Sequence, residues 1–184
     1  MIWLYFSSVV LGLIVVWAIL NVRADYASRK TLTSYSVVIV WAAYLLHAGI
    51  LIWAAVLQAW QMPVQPELAY PLGIVLTITG IAIPAAAIWN FRSIKRMSGL
   101  QIDEIITSGI YAWSRNPQNL GWGLALLGIA VMGRSGFALF LLALFAFSIH
   151  GYIVLLEEPY LKDVYGDVYQ SYRSKTSRYL GFSK

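Results

Sequence analysis

The residues best suited to chemistry fall in two polar blocks of a chain that is otherwise apolar. The first block reads GIYAWSRNPQNLGWG at residues 109–123, and it places Arg115 and Asn116 directly before a proline. The second block begins with two adjacent carboxylates, Glu157 and Glu158, at the end of a long apolar run. Carboxylates in such a position need solvent or a cationic partner, and Arg115 is the candidate partner. We therefore predict that folding brings the two blocks together.

The first block has the features of a helix start. Asn116 is a good N-cap residue, and Pro117 suits the first helical position because its missing N–H costs nothing there. The free N–H groups and the positive dipole end of such a helix favour a carboxylate or another anionic group. Gly121, Ala125 and Gly128 share one helix face, which is flat enough for a neighbouring helix or a flat ligand. From the residues alone, a packing groove and a ligand site are both open interpretations.

The second block continues as an amphipathic helix after its two carboxylates. Pro159 discourages an unbroken continuation of the preceding apolar helix. Tyr165, Tyr169 and Tyr172 then recur at spacings of four and three, which forms an aromatic stripe on one face. The stripe is interpreted as packing against the membrane face or the core. Simple contact with lipid headgroups accounts for three basic residues that follow it: Arg173, Lys175 and Arg178.

The histidines and the absent cysteines limit other kinds of chemistry. His150 lies about two turns before Glu157 on the same helix face, so it could face the same cavity, although a lone membrane histidine is more often structural. His47 is isolated, and two isolated histidines do not make a metal site. Without cysteine the chain has neither disulfides nor cysteine-ligated metals. We expect no metal and no nucleic-acid partner, and the sequence has no Ser/His/Asp triad, P-loop or GxGxxG pattern.

The composition shows which elements must position these blocks. Hydrophobic residues make up 60% of the 184 residues and charged residues only 11%, with a mean hydropathy of +0.69, whereas soluble domains carry roughly 25% charged residues. Five uncharged stretches are long enough, or nearly so, to cross a hydrocarbon layer of about 30 Å: residues 2–22, 35–60, 68–90, 118–133 and 135–156. The fourth is the shortest. The sequence predicts an all-α, polytopic membrane bundle of about five transmembrane helices.

The basic residues predict the orientation of this single membrane domain, residues 1–184. Arg134 lies in the turn between the fourth and fifth stretches, whereas the other twelve lysines and arginines follow the first, third or fifth stretch. By the positive-inside rule, the N-terminus is then outside, and the long loops and the C-terminal helical segment are cytoplasmic. The first stretch lacks a basic leading region and a cleavage site, so we interpret it as a retained span. The absence of cysteine and the compact size favour a prokaryotic cytoplasmic (inner) membrane.

Two ordered motifs carry a resemblance to a known family. The first runs roughly G-x-Y-x-x-x-R-[HN]-P-x-Y-x-G and is matched by Gly109, Tyr111, Arg115, Asn116, Pro117 and Gly121. The second runs roughly E-E-x-x-L and then [FY]-G-x-x-Y-x-x-Y, matched by Glu157, Glu158, Leu161, Tyr165, Gly166, Tyr169 and Tyr172. From about residue 91 onward the chain resembles the membrane methyltransferase superfamily, which includes isoprenylcysteine carboxyl methyltransferases and phospholipid N-methyltransferases.

The resemblance implies a site for S-adenosyl-L-methionine at the cytoplasmic end of the last spans. The C-terminal segment would enclose it, which makes residues 91–184 the cofactor-binding half and residues 1–90 the first three spans. The implied cofactor-binding residues are Gly109, Tyr111, Asn116, Pro117, Asn119, Gly121, Glu157 and Glu158. The implied catalytic residues are Arg115 and Glu158, and the implied substrate-binding residues are Arg115, His150 and Tyr169. The chain departs from the motif where Asn116 replaces a frequent histidine and Asn119 replaces the usual aromatic residue.

The implied reaction is an in-line methyl transfer to a lipophilic or membrane-partitioned acceptor that enters from the bilayer. Alignment and desolvation can supply much of the rate, because the sulfonium leaving group is already activated. Asn116 cannot act as a general base near neutral pH. A lipid amine, a prenylcysteine carboxylate and a thiol are all compatible acceptors. The alternatives are an NADPH-dependent membrane sterol-type reductase, which has a related C-terminal arrangement, and a non-catalytic membrane scaffold. The oligomeric state is not predicted.

Overall fold

The computed structural model describes residues 1–91, 100 and 104–181, and its regular structure is helical throughout those ranges. The all-α prediction is therefore confirmed. Four residues counted above among the cytoplasmic cations lie outside the described residues: Arg92, Lys95, Arg96 and Lys184. The helices are α1 (Ile2–Arg29), α2 (Ser34–Val56), α3 (Pro66–Phe91), α4 (Pro117–Met132), α5 (Gly136–Tyr152) and α6 (Glu158–Lys175), with a 3₁₀ turn at Gly109–Ala112 and a π-helical segment at Ile153–Glu157.

Among the residues that the structure describes, four helical segments are long and apolar enough to cross a membrane. They are Ile2–Arg29, Ser34–Val56, Pro66–Trp89 and the continuous helix Gly136–Lys175. The remaining helix, α4, has only 16 residues, or roughly 24 Å at 1.5 Å per residue. It is the stretch predicted to be the shortest, and a bundle of about five membrane helices is compatible with these lengths. The predicted orientation, with the N-terminus outside, stays a prediction.

Small residues hold α3 and α4 in close contact. A Cβ atom added at Gly80 on α3 would overlap the backbone of Ala125 on α4. In the same way, a Cβ at Gly121 would overlap the ring of Pro84, and one at Gly128 would overlap the backbone of α3. The flat face of α4 is thus covered by a helix rather than left for a ligand. Of the two interpretations of Gly121, Ala125 and Gly128, the structure supports the packing groove.

A tight turn joins α4 to α5 and fixes the hairpin that separates the two polar blocks. Arg134 adopts a left-handed backbone conformation with φ 48°. Ser135 caps α5, since its Oγ accepts a 3.1 Å hydrogen bond from the Ala138 N–H and donates a 2.7 Å bond to the Ala59 carbonyl. The hairpin therefore returns the chain to the level at which α4 began.

Pro159 does not interrupt the helix that follows this turn, in contrast to the prediction. The π-helical segment Ile153–Glu157 precedes it, and the Glu158 N–H bonds to the Ile153 carbonyl five residues earlier. This wider turn leads into Pro159 near the first position of α6, where a proline needs no N–H partner. The helix therefore runs on without a break from α5 into α6.

Gly166 produces the one kink described inside α6. Its φ of 52° and ψ of −126° are not helical, and a side chain rarely tolerates this region of backbone space. The predicted stripe of Tyr165, Tyr169 and Tyr172 therefore crosses a kink rather than following a straight helix. Even so, all three tyrosines pack into one cluster, which includes Tyr111.

Gly166→Ala is expected to destabilise the protein by about 1–3 kcal/mol, because alanine does not adopt this conformation without strain. The thermal unfolding midpoint of the detergent-purified protein measures the effect. Gly151→Ala on α5 is the matched control, since an added Cβ there meets no atom within 4 Å and alanine favours a helix more than glycine does. Equal midpoints for the two variants would contradict the assigned strain.

Candidate active site

Arg115 and Glu158 form a buried ion pair that joins the two polar blocks. Arg115 Nη1 donates a 2.8 Å hydrogen bond to Glu158 Oε1, and the two side chains are only 8% and 7% exposed. The predicted pairing of Arg115 with a glutamate is thereby confirmed. The same Nη1 donates a 2.9 Å bond to the Tyr169 hydroxyl, and Nε donates a 3.0 Å bond to the Thr176 carbonyl. The guanidinium plane of Arg115 is therefore fixed from several directions.

Arg178 is the second cation on Glu158. Its Nε donates to Glu158 Oε1 at 2.8 Å and its Nη2 donates to Oε2 at 3.1 Å. This is the bidentate geometry that makes arginine–carboxylate pairs strong and directional. Hydrogen bonding to Glu158 raises the pKa of Arg178, so the guanidinium stays charged. The interpretation of Arg178 as a contact with lipid headgroups is therefore wrong. Arg173 is half-exposed, and its Nη2 lies 3.8 Å from Glu158 Oε2.

The chain after α6 folds back over the first polar block. The helix ends at Thr176, which has extended backbone angles, and the Arg115 N–H then donates a 3.0 Å bond to the Ser177 carbonyl. The Tyr172 hydroxyl donates a 2.6 Å bond to the Tyr111 carbonyl. This C-terminal clamp, residues 172–178, shields the ion pairs from solvent. Burial raises the pKa of the Tyr111 phenol, so that group is neutral.

Asn116 begins α4 as predicted, with Pro117 at the start of the helix, but its side chain does not cap the helix. Its Nδ2 donates a 3.2 Å bond to the Arg178 carbonyl instead. The Asn116 N–H bonds to Ser114 Oγ at 3.1 Å. Asn116 therefore holds the predicted N-cap position, while its side chain bonds to the C-terminal clamp, a contact that local sequence does not reveal.

Glu157 differs sharply from its neighbour Glu158. The residue is half-buried, and its Oε2 atom is shielded from solvent without a hydrogen-bond partner in the described part of the chain. Glu157 is the last residue of the π-helical segment and directly precedes Glu158. Of the two adjacent carboxylates, one is fully engaged by arginines and the other retains an unused acceptor.

The remaining predicted site residues surround this pair. Asn119 Oδ1 accepts a 2.6 Å bond from the Tyr44 hydroxyl, which ties α4 to α2. His150 is exposed, and its Nδ1 lies 3.0 Å from the Tyr179 hydroxyl, so its partner is the C-terminal segment. Gly109 has a φ of 62°, which glycine adopts without strain, at the start of the 3₁₀ turn. Their predicted roles in binding cofactor or substrate stay predictions.

The sequence prediction missed several residues that the structure brings to this site. They come from all parts of the chain: Tyr26, Tyr44, Tyr152, Thr176 and Arg178. Tyr26 and Tyr152 bond to each other at 3.0 Å between their hydroxyls, and Tyr26 also stacks on Tyr160 with ring centroids 3.8 Å apart. For the three tyrosines, the only signal in the sequence was a tyrosine within a long apolar helix. That signal is weak, because aromatic residues are common in membrane spans for other reasons.

Comparison with known families gives this geometry its context. Residues 68–168, more than half of the chain, match the model of the phospholipid methyltransferase family. The chain belongs to this family. The match begins in α3, earlier than the resemblance from about residue 91 indicated, and it ends before Tyr169 and the C-terminal clamp.

One curated relative of this family member is a protein-S-isoprenylcysteine O-methyltransferase from Schizosaccharomyces pombe. The two chains are 31% identical over 71 residues, which is 39% of this chain and 30% of the relative. The matched part thus spans less than a third of the length of the relative. No solved structure matches the chain. Because this relative comes from a yeast, it gives no support to the expected prokaryotic membrane.

Proposed function

We propose that the protein transfers a methyl group from S-adenosyl-L-methionine to a lipophilic acceptor, on the membrane face at which α4 begins. The positive-inside rule makes this the cytoplasmic face. The single observation that carries the proposal is the carboxylate oxygen of Glu157, which has no hydrogen-bond partner within residues 1–91 and 104–181 and directly precedes the ion pairs of Glu158 with Arg115 and Arg178. Family membership supplies the reaction class.

The residues present fit this cofactor. S-adenosyl-L-methionine carries an ammonium group and ribose hydroxyls, which are donors that a buried carboxylate oxygen can accept. Glu157 offers such an oxygen in the described part of the chain. When bound, the cofactor supplies a methyl group already activated by its sulfonium. Asn119 and the 3₁₀ turn with Tyr111 are the further residues that we assign to its pocket.

In this proposal the protein contributes alignment and exclusion of water. Both oxygens of Glu158 are engaged by Arg115 and Arg178, so we assign Glu158 to positioning these guanidinium groups. Arg115 in turn positions the Tyr169 hydroxyl and the Thr176 carbonyl, and it can bind an anionic part of the substrate. The C-terminal clamp keeps water out, and alignment together with desolvation can supply several powers of ten in rate.

The acceptor in this proposal is a lipid or lipidated molecule. The matched family is named for phospholipids, and the name of the yeast relative refers to isoprenylcysteine. Both substrates partition into a bilayer, and in this proposal they enter the site from the bilayer between the helices of the α1–α5 bundle. Family membership favours methyl transfer over the reductase and scaffold alternatives. Of the predicted substrate-binding residues, Tyr169 is only 2% exposed, so we assign its hydroxyl to positioning Arg115. We place His150, which is exposed and contacts Tyr179, at the edge of the site.

S-adenosylhomocysteine is expected to raise the thermal unfolding midpoint of the detergent-purified protein. A ligand that binds only the folded state adds about 2.7 kcal/mol at a hundred times its dissociation constant. Glu157→Gln keeps the shape of the side chain but weakens its acceptor, so this variant is expected to lose most of the midpoint shift. NADPH, tested in parallel, is expected to give no shift.

The matched control is Glu67→Gln, the same change at an exposed position in the first turn of α3. It is expected to keep the full shift. A wild-type shift with NADPH alone would replace the proposal with the reductase alternative. A wild-type protein that responds to neither ligand would contradict cofactor binding altogether.

A further inference from the structure

One tyrosine attaches the C-terminal end of α1 to the continuous helix formed by α5 and α6. The Tyr26 hydroxyl lies 3.0 Å from the Tyr152 hydroxyl at the end of α5. The Tyr26 ring also stacks on the ring of Tyr160 in α6, with the centroids 3.8 Å apart and the planes 6° from parallel. Tyr26 therefore contacts this helix on both sides of the π-helical segment, which ends one residue before Glu158.

The π-helical segment explains how one side chain can reach both tyrosines. Tyr152 and Tyr160 are eight positions apart, which in an uninterrupted α-helix would place them about 80° apart around the axis. The segment between them contains a bond from the Glu158 N–H to the Ile153 carbonyl, which encloses one residue more than an α-helical bond. Eight residues then complete about two turns, so that Tyr152 and Tyr160 face Tyr26 together.

The turn that follows Tyr26 adds further contacts with α6. The Tyr160 hydroxyl donates a 2.7 Å bond to the Lys30 carbonyl at the end of α1, and Lys30 Nζ forms an exposed 2.9 Å ion pair with Asp163. The turn itself is fixed, because Asp25 Oδ2 accepts 2.8 Å bonds from both the N–H and the hydroxyl of Thr33. Residues 25–33, the α1–α2 corner, therefore meet α6 as a preformed unit.

The α1–α2 corner supports α6 on the face opposite to the ion pairs. At 100° per residue, Tyr160 and Asp163 lie roughly 200° and 140° around the helix axis from Glu158. Glu158 points to the other side, where it pairs with Arg115 and Arg178. The first turns of α6 are thus held between the α1–α2 corner and the arginines, so a shift away from the corner changes the position of Glu158.

We propose that Tyr26 is a positioning residue of the site: it holds α6 in place so that Glu158 stays on Arg115 and Arg178. Its part in methyl transfer rests on the proposed function. Tyr26 lies outside residues 68–168, which match the family model, and outside both sequence motifs, so the assignment comes from its contacts. The first span thereby contributes to the site as well as to membrane anchoring.

A single cysteine on the opposite side of α6 reports whether this support reaches the site. The chain has no cysteine of its own. Ser114 is 2% exposed, and its hydroxyl donates a 3.5 Å bond to the Arg178 carbonyl in the C-terminal clamp. Ser114→Cys therefore introduces one buried thiol, and its rate of labelling by a maleimide in detergent measures the opening of the clamp. Tyr26→Leu is added to this parent, and Tyr70→Leu, at an exposed position of α3, is the matched control.

Tyr26→Leu is expected to raise the labelling rate about tenfold or more, as for the loss of one aromatic pair and one hydrogen bond. Tyr70→Leu is expected to stay within about twofold of the parent, because exposed surface positions contribute little. An unchanged rate in Tyr26→Leu, or an equal rise in Tyr70→Leu, would overturn the proposal.

Tyr26→Phe keeps the ring stack and removes only the hydroxyl, so it decides the question if the leucine variant does not fold. Its labelling rate is expected to rise about threefold, as for one lost hydrogen bond. A rate equal to that of the parent would then overturn the proposal.

Binding of S-adenosylhomocysteine separates this inference from the proposed function. It is measured by isothermal titration calorimetry on proteins without the reporter cysteine. Tyr26→Leu is expected to bind about fivefold or more weakly than the wild type, as for residues coupled through one contact network, whereas Tyr70→Leu is expected to bind equally well. Faster labelling with unchanged affinity would overturn the role of Tyr26 in the site. A wild-type protein that binds no S-adenosylhomocysteine would refute the proposed function, and the labelling rates would still decide whether Tyr26 holds α6.

Discussion

Glu158→Gln is expected to unfold at a temperature lower by about 10 °C or more. The substitution removes the charge that Arg115 and Arg178 share, so two guanidinium groups face each other near a neutral amide. Breaking a buried ion pair by removing one partner costs about 3–5 kcal/mol, because the remaining charge stays buried and uncompensated. In a chain of this length, each kcal/mol shifts the midpoint by roughly 2–4 °C. The thermal unfolding midpoint of the detergent-purified protein measures the effect.

Asp163→Asn is the matched control on the same helix. Asp163 pairs with Lys30 at 2.9 Å, but the two side chains are 65% and 58% exposed. Exposed ion pairs contribute about 0–1 kcal/mol, so this variant is expected to unfold within roughly 4 °C of the wild-type protein. If both variants unfold at the same temperature as the wild type, the three-residue network does not hold the C-terminal clamp in place.

The contrast between Glu157 and Glu158 explains how the two neighbours can differ in role. Glu158 faces the side from which Arg115 and the C-terminal clamp approach, and both of its oxygens are occupied. Glu157 lies one position earlier, at the end of the π-helical segment, and its Oε2 atom has no hydrogen-bond partner among the described residues. A carboxylate that is already paired stabilises the fold, whereas one with an unused oxygen can accept a ligand.

Features that depend on local composition could be predicted from the sequence. Long apolar runs form helices because a membrane leaves no other way to satisfy the backbone, and this made the helical bundle predictable. The pairing of Arg115 with a glutamate followed from the cost of an isolated charge beside an apolar run. The spacing of Gly121, Ala125 and Gly128 marked a close-packing face, although it left the partner open between a helix and a ligand.

Features that depend on the path of the chain could not be predicted. Arg178 reaches Glu158 because the chain leaves α6 at Thr176 in an extended conformation and turns back. No periodic pattern in the sequence predicts that turn. For the same reason the sequence did not predict that the Asn116 amide bonds to the carbonyl of Arg178. Tyr44 and Asn119 are separated by 75 positions, and only the packing of α2 against α4 brings them together.

The two halves of the site thus depend on different physical principles. The ion-pair half is held by charges and by the C-terminal clamp, and its residues are polar enough to stand out in the sequence. The half around Tyr44 is held by helix packing, which fixes where Asn119 and Trp122 point. Because α4 also packs closely on α3, the α3–α4 contact controls the position of every group that α4 contributes.

Gly80→Ala is expected to destabilise the protein by about 3 kcal/mol, at the upper end of the range for overpacking. An added Cβ would overlap the backbone of Ala125 and lie 2.7 Å from the Gly121 carbonyl oxygen. Backbone atoms cannot rotate away as a flexible side chain can, so the two helices must separate. We expect a lower thermal unfolding midpoint together with weaker binding of S-adenosylhomocysteine, because the start of α4 moves relative to α2.

Gly123→Ala on α4 provides the comparison that isolates packing from helix propensity. An added Cβ there meets no atom within 4 Å, so this variant gains the better helix propensity of alanine, worth up to about 1 kcal/mol, without a clash. Its midpoint is expected to equal or exceed that of the wild type, with ligand binding unchanged. A Gly80→Ala protein as stable as Gly123→Ala would mean that α3 and α4 are not in contact at Gly80, and α3 would then lose its role in positioning α4.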